Sequence, residues 1–161
     1  MLNTALQVLS KDGTVADNTY QLIGEDGALP QGDVVVTVEQ LDQLANISGR
    51  KALYITVDAS PEVNEFPLDQ LDAIFIEFAG FNDGRGYSFA ALLRRQGYQG
   101  ELRATGDVFK DVLNYMKRSG FDSFVVKEGK DIQEAAAGLG DFTHPYQAST
   151  AVPQAHYQTG A

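Results

Sequence analysis

Two short segments of this sequence combine glycine with charged and hydroxyl side chains. Residues 82–88 hold Asp83, Gly84, Arg85, Gly86, Tyr87 and Ser88, and residues 103–107 hold Arg103, Gly106 and Asp107. An arginine guanidinium offers a planar fork of N–H donors that suits a carboxylate, sulfate or phosphate, and glycine lets a ligand approach the backbone closely. These residues are therefore the candidate ligand-binding set, and the ligand that they favour is a small oxyanion.

The same residues also have a purely structural interpretation. Ser88 would then be the N-cap of a helix, and Asp83 would pair with Arg85 or Arg103, because arginines and aspartates at loop tips often only hold loops together. Tyr87 could donate a proton to a substrate or simply seal the loop. The sequence leaves the choice between a binding role and a structural role open.

Other patterns of catalytic or cofactor sites are incomplete. The Gly84-x-Gly86 pair follows a predicted strand as in a dinucleotide fingerprint, but Phe89 stands where that motif needs a third glycine. Asp107 and Asp111 could hold a divalent cation, although helix capping by Asp107 explains the pair more simply. The sequence therefore identifies neither catalytic residues nor a cofactor, and we predict no metal site.

Composition limits the chemistry further. The 161 residues include no cysteine, which excludes disulfides, thiolate nucleophiles and zinc–thiolate sites within this chain. The net charge of −10 argues against general nucleic-acid binding, which needs a basic surface. No stretch is long and apolar enough to span a bilayer, and no signal peptide is evident, so we expect a cytoplasmic protein with no membrane partner.

The charge is distributed unevenly along the chain. Residues 1–80 carry 13 acids and 3 bases, whereas residues 81–161 carry 9 of each. Seven of the bases fall between Arg85 and Arg118, against three acids. This region is either a solvated helical face with ion pairs or a local anion site on an otherwise acidic protein.

The candidate residues must be positioned by strands and helices, which alternate along this sequence. Five apolar runs predict strands, and periodic segments between them predict helices; the predicted strands are 34–38, 53–57, 73–78, 102–105 and 121–126, and the predicted helices are 39–47, 88–96, 107–119 and 131–139. Before them, residues 5–23 predict a β-hairpin with its turn at Lys11–Thr14. Such alternation is typical of a mainly parallel sheet covered by helices on both faces.

The predicted fold class is therefore α/β, with a mainly parallel sheet of about five strands, flanking helices and an N-terminal β-hairpin. The chain is too short for a full eight-stranded βα barrel, so an open sheet or a partial barrel, the latter completed in a homodimer, fits. We expect one domain over residues 1–142 and a flexible or subunit-docking tail over 143–161. Ligands of such sheets bind at the carboxyl ends of the strands, where both candidate segments are expected to lie.

The segment from Phe81 to Asp122 resembles a bacterial family of unknown function. The residues that carry the resemblance are 81–88, Leu92, Leu93, Arg94, Gly97, Tyr98, 100–104, 106–108, Asp111 and 120–122. Members of this family are often encoded beside assimilatory sulfite reductase and carry the label probable oxidoreductase. This sequence departs from many relatives at Ser119, where they carry cysteine, and at Val112, where they carry glutamine, so an essential thiol is not expected.

The resemblance implies a role near sulfite or sulfate reduction, and it marks the candidate ligand-binding set together with Arg94 and Asp111. Two hypotheses follow. In the first, the protein is a non-catalytic accessory that binds a small oxyanion or docks on sulfite reductase or another enzyme of sulfur assimilation. In the second, it is an oxidoreductase or other enzyme acting on an anionic substrate, with a nicotinamide or flavin bound separately. The absence of a recognisable nucleophile or cofactor fingerprint favours the first hypothesis.

Overall fold

The computed structural model describes residues 7–57 and 66–140, and the predicted tail lies outside them. Eight strands are present in this part of the chain: β1 (Gln7–Ser10), β2 (Val15–Asp17), β3 (Gln21–Leu22), β4 (Val34–Val36), β5 (Lys51–Thr56), β6 (Ala73–Phe78), β7 (Glu101–Gly106) and β8 (Ser123–Phe124). Among these residues, no helix is long and apolar enough to cross a membrane.

All eight strands form one mixed sheet in the order β2-β1-β8-β7-β6-β5-β4-β3. Strands β3 to β8 run parallel, whereas β1 pairs antiparallel with β2 and with β8. The predicted hairpin is present as β1 and β2, with its turn at residues 11–14. The prediction that the hairpin extends to residue 23 is wrong, because β3 joins the opposite edge of the sheet beside β4.

The connection between β2 and β3 shows how strongly the sheet curls. Only Asn18, Thr19 and Tyr20 lie between these two edge strands, and an extended chain covers at most about 14 Å over the four steps from Asp17 to Gln21. Eight strands laid flat would place the two edges about 34 Å apart. The sheet is accordingly a curled half-barrel, and residues 18–20, called the strap below, join its two edges.

Helices cover the convex face of this half-barrel. They are a 3-10 helix at Val38–Asn46, a short 3-10 turn at Leu68–Gln70, α1 (Gly84–Arg95), a 3-10 turn at Lys110–Val112 that leads into α2 (Leu113–Arg118), and α3 (Ile132–Gly140). Their buried side chains join strand residues such as Leu53, Ile74 and Leu102 in one large core. These helices pack on one face only, so the helices predicted on the second face are not found among the described residues.

The concave face has a separate, smaller core. It consists of Val35, Ala52, Tyr54, Ala73, Phe75 and Tyr20, and only Tyr20 comes from outside the parallel strands. Because successive strand residues point to opposite faces, the same face also carries Glu77, Arg103 and Thr105. The strap thus places an aromatic ring against the inside of the half-barrel, next to a buried arginine.

Candidate functional site

The two candidate segments meet only in part at the carboxyl end of the sheet: Gly106 and Asp107 lie there beside Phe78 and Phe81, but Arg103 does not. Residues 82–88 do follow β6, with Asp83 as the N-cap of α1. Arg103, however, lies in the middle of β7, with its side chain on the concave face and only 5% of its surface exposed. The prediction that Arg85 and Arg103 share one loop-built site is wrong for Arg103.

Asp83 and Arg85 pair with each other at the start of α1. The Asp83 carboxylate accepts from the Arg85 backbone N–H at 3.0 Å and from the Arg85 Nη2 at 2.7 Å. These two contacts hold the pKa of Asp83 below its usual value, with the Arg85 side chain as the first cause. Asp83 therefore occupies the position that an anion would take at a helix N-terminus, and Ser88, the predicted N-cap, instead donates to the Gly84 carbonyl.

Asp107 connects three loops rather than capping a helix. Its Oδ2 accepts from the Phe81 backbone N–H at 2.8 Å, and its Oδ1 accepts from the Lys127 Nζ at 3.0 Å. The bond to Lys127, followed by the bond to Phe81, lowers the pKa of the Asp107 carboxyl. The predicted helix over 107–119 begins only at Lys110, as a 3-10 turn, so the capping explanation of Asp107 is wrong.

Arg94, which the family resemblance marked, uses its whole guanidinium as a structural connector. Its Nε and Nη2 donate to the Gly120 carbonyl, its Nη1 donates to the Tyr98 and Gly100 carbonyls at 2.9 Å, and its Nη2 also donates to Asp122. An arginine has five N–H donors in total. Since these five contacts account for all of them, Arg94 holds loops together and is not left to bind a ligand.

Phe78, the last residue of β6, leaves no room for a side chain at either Gly86 or Gly106. A Cβ at Gly86 would lie 2.4 Å from the Phe78 ring, and a Cβ at Gly106, where φ is +90°, would lie 2.3 Å from the Phe78 carbonyl oxygen. Phe78 is 1% exposed. These glycines therefore allow the start of α1 and the end of β7 to pack closely against Phe78, and this packing explains them without a ligand.

A matched pair of alanine substitutions tests this explanation of the glycines. Gly86→Ala should lower the free energy of unfolding by about 1–3 kcal/mol, because a methyl group is forced against a ring that cannot move out of the core. Gly84→Ala meets nothing within 4 Å, so it should leave stability unchanged or raise it by up to about 1 kcal/mol through helix propensity. Urea unfolding of both variants measures the difference; equal effects would show that Phe78 does not impose the glycine.

Open space is present at the opposite end of the sheet. Cavities of about 540, 390 and 400 Å³ open near the amino ends of β6, β7 and β8. The largest of these three has the buried Arg103 and Ser123 in its lining, together with Glu101 and five other charged side chains. These charges are of both signs. Within the lining Lys11 pairs with Asp122 and Arg103 pairs with Glu101, whereas Arg50 pairs with Asp33 outside it.

The carboxyl end of the sheet is instead distinguished by exposed aromatic rings. We call Phe81, Tyr87, Phe109 and Tyr115 the aromatic patch. Phe81 stacks edge-on against Phe109 with ring centroids 5.4 Å apart, and Tyr115 stacks against Tyr87 at 4.6 Å. The Tyr87 hydroxyl donates to the Phe81 carbonyl, which connects the two ring pairs. Phe81 and Tyr115 are 48% and 54% exposed.

The sequence patterns considered above did not identify this patch. Adjacent helix residues point about 100° apart, and the structure buries Leu113 and Met116, three apart, while Tyr115 faces outward. The spacing of those two apolar residues was a signal that could have identified Tyr115. Phe81 carries no comparable signal, since it stands in a loop.

Comparison with known proteins gives one match. The model of a family described as bacterial protein of unknown function (DUF934) matches residues 52–157, about two thirds of the chain. No curated protein and no solved structure matches. The matched stretch contains the whole aromatic patch, whereas the strap lies before it.

Proposed function

We propose, from the premise that the chain belongs to the bacterial DUF934 family, that this protein is a non-catalytic accessory of sulfur assimilation that docks on sulfite reductase through the aromatic patch. The setting comes from the family resemblance of residues 81–122. The mode of action comes from the geometry at the carboxyl end of the sheet, where a partner rather than a small oxyanion finds a suitable surface.

The exposure of Phe81 and Tyr115 is the observation that carries the proposal. Two large rings that are about half exposed leave apolar surface in water, which is unfavourable unless a partner covers it. Both rings are held by a second aromatic residue, so little side-chain freedom is lost when a partner binds. Tyrosine, phenylalanine and arginine are the residues in which protein interfaces are enriched.

Charge defines the kind of partner surface that fits. The Arg118 guanidinium lies 5.9 Å from the centre of the Tyr115 ring, so a cation borders the patch on a protein whose net charge is −10. A complementary surface would present acidic groups around an apolar centre. The proposed partner face on sulfite reductase is therefore apolar with an acidic rim.

The oxyanion alternative has less support. The helix N-terminus that would receive an anion already holds the Asp83 carboxylate, and the Arg85 guanidinium is turned onto that same carboxylate. An incoming anion would have to displace Asp83 and would meet its negative charge. Docking requires no such rearrangement.

Affinity measurements with purified sulfite reductase from the same bacterium test the proposal. Tyr115→Ala and Phe81→Ala should each weaken binding by about 30-fold or more, as expected for central aromatic residues of an interface. Leu22→Ala is the matched control, because Leu22 is also an exposed apolar residue, at 38%, but lies on β3 at the sheet edge. Absence of a complex, or equal losses for Leu22→Ala and Tyr115→Ala, would contradict the proposal.

A further inference from the structure

A cavity of about 400 Å³ lies where the turn between β1 and β2, the loop between α1 and β7 and the end of α2 meet. Its volume is within the range of small-molecule sites, which is about 300–1,000 Å³. We call it the Lys117 cavity. Its lining combines three cations, one carboxylate and two aromatic side chains, which are Lys11, Arg94, Lys117, Asp122, Tyr98 and Phe121.

The Lys117 cavity has an excess of positive charge on an acidic protein. Three cations against one carboxylate leave an excess of two positive charges in the lining, whereas the whole chain carries a net charge of −10. The cavity of about 540 Å³ is lined by four acids and three bases, and the cavity of about 390 Å³ by one acid and no base. Of these three cavities, the Lys117 cavity is therefore the one whose charge attracts an anion.

Two ammonium groups of the lining have N–H donors to offer. Lys117 is half-buried on α2, and its ammonium makes no hydrogen bond or ion pair with the described residues. It only attracts the carboxylate of Asp12, which lies outside this lining. Lys11 donates to Asp122 at 3.1 Å, which uses one of the three donors that an ammonium group has. Five donors on two side chains thus border the same space.

The one carboxylate of the lining is already compensated. Asp122 accepts from Lys11 through Oδ1, and from Arg94 and the Leu102 backbone N–H through Oδ2. The donors of Arg94 are all in use, so Arg94 contributes its charge rather than a hydrogen bond to a ligand. An anion in the Lys117 cavity therefore meets two ammonium groups and a neutralised carboxylate.

We infer that the Lys117 cavity binds the phosphate dianion of a small phosphate monoester. A phosphate monoester carries nearly two negative charges above its second pKa of about 6, together with three strong acceptor oxygens, which matches both the excess charge and the donors of the lining. Lysine is a common phosphate-binding residue. Tyr98 and Phe121 give the cavity an apolar wall against which the organic part of a monoester can pack. The inference is independent of the docking proposal, because none of these residues belongs to the aromatic patch.

Isothermal titration of the full chain at pH 7.5 and constant ionic strength tests the inference with three probes. Phenyl phosphate and phenyl sulfate have similar shapes, but the first is mainly a dianion and the second a monoanion. Phenyl phosphate should bind at least tenfold more tightly than phenyl sulfate, which corresponds to about 1.4 kcal/mol or more, and more tightly than inorganic phosphate. Inorganic phosphate that binds as tightly as phenyl phosphate would support the phosphate site but identify the free ion as its ligand. No binding of phenyl phosphate, or equal binding of phenyl sulfate, would overturn the inference.

Two lysine variants locate the phosphate. Lys117→Gln should weaken phenyl phosphate binding at least tenfold, because hydrogen bonds to a charged group are lost. It should fold normally, since Lys117 has no ion pair among the described residues and its favourable position near the end of α2 contributes at most about 1 kcal/mol. Lys130→Gln removes the same charge from an exposed position outside the three cavities, and it should weaken binding less than about twofold because distant surface charges are screened. Equal losses in the two variants would overturn the inference.

Discussion

Replacing Arg103 by methionine should lower the free energy of unfolding by about 3–5 kcal/mol, the range expected when one partner of a buried ion pair is removed. The Arg103 Nη2 lies 2.7 Å from the Glu101 carboxylate, and its side chain is 7% exposed. Its Nη1 donates to Asn18 of the strap at 3.1 Å. Its guanidinium also lies 4.4 Å from the Phe75 ring centre, so one side chain connects the middle of the sheet to the strap.

Arg50→Met is the matched control for this prediction. The Arg50 guanidinium stacks on Tyr20 at 5.2 Å, as Arg103 does at 5.3 Å, but the Arg50 side chain is 54% exposed. Its pair with Asp33 is a surface pair, and such pairs contribute at most about 1 kcal/mol. Urea unfolding should therefore separate the two variants clearly, and similar losses would contradict the connecting role of Arg103.

The double variant Glu101→Gln with Arg103→Met adds a second check. If the loss in Arg103→Met comes from leaving a carboxylate unpaired, neutralising Glu101 should recover part of it. Ser123 donates to the same Glu101 oxygen at 2.6 Å, and a glutamine carbonyl can still accept that bond. A double variant less stable than Arg103→Met would show that the charge pair is not the main contribution.

Gly106→Ala should lower the free energy of unfolding by about 3–5 kcal/mol, because two unfavourable effects coincide there. The backbone has φ of +90°, which L-residues rarely adopt, and the new Cβ would meet the Phe78 carbonyl oxygen. That oxygen is fixed, since it accepts the Asp107 backbone N–H at 2.9 Å. Neither the residue nor its neighbour can move without breaking the β6–β7 pairing.

Gly97→Ala measures how much of this loss of stability comes from the backbone conformation alone. Gly97 has φ of +95° but nothing within 4 Å of its Cβ position, so its substitution should cost only about 1–3 kcal/mol. Chemical denaturation of both variants gives the difference that the steric contact contributes. If Gly97→Ala is as destabilising as Gly106→Ala, the contact with Phe78 is unimportant.

The sequence was sufficient for the parts of the fold that depend on local patterns. The apolar run 73–78 predicted β6 with its observed ends, and the turn at 11–14 predicted the hairpin. The strap could not be predicted in this way, because β3 has only two residues and pairs with β4 through non-local contacts. The packing of the helices on one face could not be predicted either. A strand is equally apolar whether its second face is buried inside a curled sheet or covered by a helix.

The position of Arg103 was predicted less well than the course of the strands. Arg103 and Thr105 alternate with the buried Leu102 and Ala104, and this period of two places them on the face opposite the main core. That pattern could have excluded Arg103 from the loop. No local pattern predicts which residue each charged side chain contacts. Arg103, for example, donates to Asn18, which lies 85 positions before it in the sequence.

Hydrogen exchange of the full chain with and without sulfite reductase tests the docking proposal most directly. Docking through the aromatic patch should slow amide exchange in residues 79–88 and 107–118, which carry the patch, and should leave the strap and β3 unchanged. Slower exchange confined to the amino ends of β7 and β8, beside the cavity of about 540 Å³, or no change anywhere, would contradict the docking proposal.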